Sequence, residues 1–127
     1  MSYVKNFREL GVYKNARDLS KEIYEITREF PLEEKYSLVD QIRRSSRSIG
    51  GQIAESWGKR RYENHFISKL TDADSEQYET QHWIEISYEC GYIDQSKMKS
   101  MIAKCETIGK MLFSMMNKSS KFCQNIN

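Results

Sequence analysis

The chain contains one proline, six glycines and three cysteines in 127 residues. Each scarcity removes an option. With helix breakers this rare, long uninterrupted helices are the economical way to fold, and loop-rich architectures are disfavoured. Cys90, Cys105 and Cys123 are odd in number and widely spaced, with no Cys-x-x-Cys pair, so neither a disulfide framework nor a zinc ribbon is indicated. Cys105 falls on an apolar stripe and reads as a small core residue. No run of about 18 uninterrupted apolar residues exists, which leaves no membrane span in the sequence. The opening residues Met1 to Leu10 lack the apolar region and small-residue cleavage site of a secretory signal, so a cytoplasmic location is expected. Charge of one sign is also lacking. Twenty basic and 18 acidic side chains leave +2, which by itself argues for no nucleic-acid partner, so the distribution of charge matters more than its sum. Two histidines, no Gly-x-Ser-x-Gly elbow and no phosphate-cradling glycine loop leave no nucleophile to activate, and no enzyme is expected.

Apolar periodicity is abundant instead. Val12, Ala16, Leu19, Ile23, Ile26 and Phe30 recur at spacings of three and four, as do Met98, Met101, Cys105, Ile108, Leu112 and Met115. Between them lie a stripe of Val39, Ile42, Ser46, Ile49, Ile53 and Trp57, and another of Phe66, Leu70, Ala73, Gln77, Thr80 and Ile84. Four such bands with short connections bury one another in an antiparallel bundle, so the expected fold is all-α: an up-down four-helix bundle in one domain over residues 1–127. Helices are expected at about 12–30, 33–57, 62–89 and 95–116, followed by a frayed polar tail over 117–127.

The corners have identifiable causes. Pro31 disfavours the helical conformation at Phe30 and suits the start of a new helix, whose amino end Glu33 and Glu34 would favour. Gly58 and the basic run Lys59-Arg60-Arg61 make the second corner, Gly91 suits a left-handed helix end, and Asp94 is placed to cap the fourth helix. Ser46, Gly50 and Ala54 form a flat ridge, and Gly50-Gly51 is either a close-packing site or a bend. The third helix carries a second stripe, Trp83, Ile86 and Cys90, beside its first. One neighbour cannot cover both, and another copy of the same chain is the simplest further partner.

Several blocks carry a resemblance. Phe7-Arg8-Glu9-Leu10-x-Val12, Ile23-Tyr24-x-x-Thr27-x-x-Phe30-Pro31, Gln41-Ile42-Arg43-Arg44-Ser45-x-x-Ser48-Ile49, Ile53-Ala54-Glu55 and Glu79-Thr80-Gln81-x-Trp83-Ile84 are similar to the family of proteins encoded in 23S ribosomal RNA intervening sequences, also labelled S23 ribosomal protein. The resemblance spans roughly Phe7 to Ile93. It implies a left-handed bundle and a ring-shaped homopentamer with a central channel. Related accessory proteins of diversity-generating retroelements act with a reverse transcriptase and nucleic acid, which implies association with RNA, DNA or a ribonucleoprotein. The chain departs from the pattern at Gly50-Gly51, where a proline and a small residue are usual, and at Ser56, where glycine is usual.

The nucleic-acid candidates are Arg44 and Arg47 of the second helix with Lys59, Arg60 and Arg61 at its end, because guanidinium groups make bidentate phosphate contacts. At 100° per residue Arg43 lies about 40° from Val39, close to the apolar arc, whereas Arg44 lies about 140° away. Arg43 is therefore expected to pair structurally with a carboxylate of the third helix, Glu76 or Glu79. Glu55 shares a face with Arg44 but lies roughly 16 Å along the same helix, so a pair between them would have to cross subunits. Trp83 is assigned to packing or a subunit interface, and Trp57, Tyr13, Tyr24, Tyr36, Tyr88 and Tyr92 mainly to core and subunit contacts rather than to stacking on bases. Glu79-x-x-His82 is half of a di-iron motif. The other half is missing, because the only other histidine, His65, follows Tyr62 at the required spacing, so no metal and no cofactor are expected. The resulting expectation is a non-enzymatic oligomeric scaffold for nucleic acid, with a protein-interaction scaffold lacking that affinity as its rival.

Overall fold

A computed structural model of the chain describes residues 4–123. Among the described residues it is all-helical, with four main helices: α1 (Gly11–Thr27), α2 (Leu38–Gly58), α3 (Glu63–Glu89) and α4 (Gln95–Asn117), then a short α5 (Ser119–Cys123). The stripes turn inward. Val12, Ala16, Leu19, Ile23, Ile42, Ile49, Ile53, Phe66, Leu70, Ile84, Met101, Cys105, Ile108 and Leu112 form one buried cluster. Each large apolar side chain removed from water this fully contributes about 1.5–3 kcal/mol before entropy is counted. No helix is long and apolar enough to cross a membrane among the described residues.

Residue contacts give the register of the helices. Between α1 and α2 they run from Thr27 with Arg43 to Tyr13 with Gly50. From α2 to α3 they run from Ser45 with Thr80 to Gln52 with Lys69. Gln77 faces Gly109 and Thr71 meets Met116 between α3 and α4, while Asn15 meets Met111 and Glu22 meets Lys104 between α1 and α4.

The helix ends differ from the periodicity in three places. α1 stops at Thr27 rather than Phe30, because the last turn tightens to i→i−3 bonds (Arg28 to Glu25, Glu29 to Ile26, Phe30 to Thr27) before Pro31 forces the chain to extend. The second helix begins at Leu38 rather than near position 33. Leu32–Glu34 form a separate 3-10 turn, and the first side chains able to bury are Leu38 and Val39. Glu34 still serves that amino end, accepting from the Leu38 N–H at 3.4 Å and from the Tyr92 hydroxyl at 2.8 Å. The expected frayed tail is helical over Ser119–Cys123, held by Phe122 stacked on Phe66 at 5.8 Å and by a hydrogen bond from Ser119 to Glu63. The rest of that tail, 124–127, lies outside the described residues.

Other corners follow their local chemistry. Gly91 has φ +81°, and the Tyr92 and Gly91 N–H groups donate to the carbonyls of Ser87 and Tyr88, closing α3 in the pattern that favours glycine. Asp94 caps α4 by accepting from the Lys97 N–H at 2.7 Å. Gly50-Gly51 does not break the helix: α2 is continuous through both, and Gly50 is buried where a Cβ would meet the Tyr13 ring at an ordinary contact distance of 3.6 Å. Packing against α3 uses small polar side chains. Ser45, Ser56, Thr80 and Ser87 are fully buried, and their hydroxyls bond to one another or to carbonyls of their own helix.

Candidate nucleic-acid interface

The outer face of α1 and α2 collects cations. Lys14, Arg17, Lys21 and Tyr24 follow one another at spacings of three, four and three, which places them on the side of α1 away from its buried stripe. With Arg8, Tyr13 and Arg47 they line an open cleft of about 590 Å³ in which Asp18 is the one carboxylate. A second cleft of about 690 Å³ adjoins it and shares Arg47, drawing in Lys35, Tyr36, Asp40, Arg43 and Arg44. Among the described residues none of Arg8, Lys14, Arg17, Lys21, Lys35, Arg43 and Arg47 forms an ion pair with a carboxylate.

These cations lie over aromatic rings. The Arg43 guanidinium sits 4.6 Å from the centroid of Tyr24 and that of Arg47 5.8 Å from it. Arg17 lies 5.7 Å over Tyr13 and donates to its hydroxyl at 2.9 Å, and Arg8 lies 4.5 Å over Phe7. Such stacking orders the guanidinium planes while leaving their edges able to donate. Tyr24 is 40% exposed and Tyr36 85% exposed, so neither is a core residue of the chain.

Positions 43 and 44 exchange their expected partners. Arg43, assigned an ion pair with Glu76 or Glu79, instead donates through Nε to the Thr27 hydroxyl at 2.9 Å and lies on the α1 side of α2. Arg44, assigned to nucleic acid, takes those carboxylates: Glu76 at 3.4 Å and Glu79 in close contact. The angle from Val39 measured how near each arginine lay to the core but not on which side of α2 it emerged. Arg43 emerges toward α1 and Arg44 toward α3. Glu79 also accepts from Trp83 Nε1–H at 2.9 Å. That hydrogen bond and the Arg44 guanidinium hold the Glu79 carboxyl below its ordinary value. Glu55 needs no subunit crossing, because it pairs with Lys69 of its own chain at 3.1 Å.

The basic corner divides. Arg60 lies flat on Trp57, 3.6 Å from its centroid, and donates through Nε to the Trp57 carbonyl at 2.8 Å, so it caps α2. Lys59 and Arg61 are exposed and, among the described residues, in no ion pair, but they stand roughly 18 Å along the axis from Arg47. Of the five proposed phosphate contacts, the structure brings only Arg47 into the clefts free of a carboxylate. Arg8, Lys14, Arg17 and Lys21 were missed. Their signal was present, as a basic stripe opposite the apolar one on the first helix, and it is obscured there by Asp18, Glu22 and Glu25 in the same segment. Glu22 turns away to α4, where it pairs with Lys97 at 3.1 Å and Lys104 at 2.7 Å.

α3 is the acidic element. α3 carries seven carboxylates and a single lysine. Between α3 and α4 lies a cleft of about 490 Å³ bordered by Asp74, Tyr78, Glu106 and Phe113, with Tyr78 and Phe113 each 63% exposed. Among the described residues no three His, Cys, Asp or Glu side chains gather as a metal-ligand group.

Comparison with known proteins agrees with the resemblance in the sequence. The family model described as 23S rRNA-intervening sequence protein matches residues 8–114. A crystal structure of a protein of unknown function from the S23 ribosomal protein family of Bacteroides thetaiotaomicron VPI-5482 superposes with a TM-score of 0.74 at 27% identity. The alignment covers 84% of this chain and 95% of that one. No curated protein matches the sequence.

Proposed function

This chain belongs to the family of 23S rRNA-intervening sequence proteins, and from that premise we propose that it is a non-enzymatic, cytoplasmic scaffold that binds RNA, DNA or a ribonucleoprotein through its α1/α2 face. The observation that carries this reading is the set of seven cations there that pair with no carboxylate among the described residues. Unpaired cations gathered on one face favour phosphate, because each phosphate they neutralise releases a counterion.

The assembly we propose is a ring-shaped homopentamer of left-handed, antiparallel up-down bundles. The register contacts support the antiparallel arrangement within the chain. Support for the ring comes from charge, since a basic α1/α2 face and an acidic α3 on different sides suit head-to-tail association, which closes as a ring when the rotation permits. Repetition would multiply the basic clefts and raise affinity by avidity. A protein partner, a reverse transcriptase in relatives of this architecture, fits such a scaffold.

The test is a titration of the full chain, its oligomeric mass measured, against a fluorescent structured RNA and a DNA duplex at several salt concentrations. Micromolar or tighter binding with a steep negative log–log salt slope is expected. A second reading rests on the exposed Tyr78 and Phe113 beside the α3/α4 cleft, which suit a protein partner without nucleic-acid affinity. No binding even at low salt would favour it.

A further inference from the structure

We propose that the paired α1/α2 clefts are seats for unpaired nucleotides, so that the chain selects single-stranded segments over duplex. The inference rests on the nucleic-acid reading above and deepens it. Three observations carry it.

The cations lie in a concavity. The two clefts are open to solvent, and at about 590 and 690 Å³ their volumes fall within the range of about 300–1,000 Å³ found for small-molecule sites. A duplex presents a convex cylinder of phosphates and keeps its bases stacked inside, so it can touch the rims of such clefts but offers nothing to fill them. A splayed base with its sugar and phosphate can enter one.

The clefts also hold flat surfaces. Tyr24 and Tyr36 expose ring area, and the Arg43 and Arg47 guanidinium groups are held in order against Tyr24. Aromatic rings and guanidinium planes are the platforms on which unstacked bases rest, and they accept any base. A duplex, whose bases stay stacked on one another, does not use them as stacking platforms.

Finally, the two clefts share Arg47. A strand crossing from one to the other would meet Lys14, Arg17 and Lys21 on one bank and Lys35 beyond, with Arg47 between successive seats. The recognised chemistry is a phosphodiester bearing an unpaired base, and RNA and DNA both supply it.

The experiment uses the full chain at low salt with fluorescent U15 and dT15 single strands and 15-base-pair RNA and DNA duplexes, read by anisotropy. Single strands are expected to bind about tenfold or more tighter than duplexes, and U15 against dT15 separates the two sources. Tyr24→Ala and Tyr36→Ala are each expected to weaken single-strand binding about tenfold and leave duplex binding unchanged, as loss of one stacked base does. Tyr36 is 85% exposed, so its variant keeps the test valid should Tyr24→Ala unfold. Duplexes bound as tightly as single strands, or Tyr36→Ala binding U15 and dT15 like wild type, would overturn the inference and leave nucleic-acid binding standing. Absence of binding to all four probes would overturn both.

Discussion

Arg43 and Arg44 are adjacent in sequence and sit in different electrostatic surroundings. Toward α1, Arg43 and Arg47 lie on Tyr24 with no carboxylate partner among the described residues. Toward α3, Arg44 is held between Glu76 and Glu79 above a seam of buried Ser45 and Thr80. The difference is one of saturation. At the α2/α3 seam Arg44, Glu76, Glu79 and the Ser45 and Thr80 hydroxyls are paired within the chain, whereas the α1 side keeps donors available. A net charge of +2 conceals this, because α3 alone holds seven of the 18 carboxylates and only one of the 20 basic side chains.

The sharpest way to break the comparison is to reverse charge on the open side. Arg17→Glu with Lys21→Glu is expected to lower single-strand affinity on the order of a hundredfold at low salt and to flatten the log–log salt slope by about 1.4, at roughly 0.7 per lost phosphate contact. Both positions are exposed, so the thermal midpoint should hardly move. Lys59→Glu with Arg61→Glu, remote from the clefts, should weaken binding far less. An equal loss from the corner pair would mean that the phosphate surface does not belong to α1 and α2.

The saturated side should fail in the opposite manner. Ser45 has no exposed surface and accepts from the Thr80 hydroxyl at 3.0 Å, so Ser45→Leu overpacks the seam and is expected to cost about 1–3 kcal/mol in a denaturant titration. Arg47→Leu, two residues on and around the helix on the open side, should stay within about 0.5 kcal/mol of wild type. Binding data should show the reverse ranking.

Much of this was legible in the residues. The stripes place the buried face of each main helix, since every apolar residue of the first stripe of α3 is buried together with Gln77 and Thr80. Gly91 and Asp94 announce their corner because their backbone chemistry is local. The side to which an outer residue leans was not legible, because periodicity measures distance from the core arc and is blind to which neighbour flanks it. That is why Arg43 and Arg44 exchanged partners, and why Lys14, Arg17 and Lys21 were hidden by Glu22, a carboxylate that α4 withdraws from the face. Interhelical pairing is a tertiary fact.

Backbone substitutions sharpen the same contrast at smaller scale. Gly51 lies inside α2 on its exposed side, and a Cβ there meets nothing within 4 Å. Gly51→Ala should stabilise by about 0.5–1 kcal/mol through helix propensity alone. Gly109 faces the α3 seam, where a Cβ would stand 3.0 Å from Gln77 Nε2 and 3.3 Å from Asp74 Oδ1. Gln77 is buried and already bonded to Asp74 and Gln81, so it cannot yield freely and Gly109→Ala should lose that gain. In thermal melts Gly51→Ala should rise above wild type and Gly109→Ala should not.

Acid separates the two arginines by a smaller margin. Glu79 is held below its ordinary carboxylate value near 4.5 by the Trp83 N–H and Arg44. Glu22 is also lowered: its burial works the other way but is outweighed by Lys104 and Lys97. A carboxyl whose folded value is depressed contributes stability that is complete above its unfolded value and is lost as pH falls through the folded one. Stability should therefore decline below about pH 4.5, and the part due to Glu79, a partly exposed pair, should amount to about 1 kcal/mol or less. Glu79→Gln should lower stability at pH 7 and shrink the further loss on acidification. Arg43→Ala should destabilise by removing the Thr27 bond and the Tyr24 contact, yet keep the wild-type acid response, because neither of those partners is a carboxylate. Urea midpoints for the three proteins at pH 7 and pH 3 decide it. If Glu79→Gln retained the full acid loss, or Arg43→Ala abolished it, the assignment of the ion pair to Arg44 and the α3 side would be wrong.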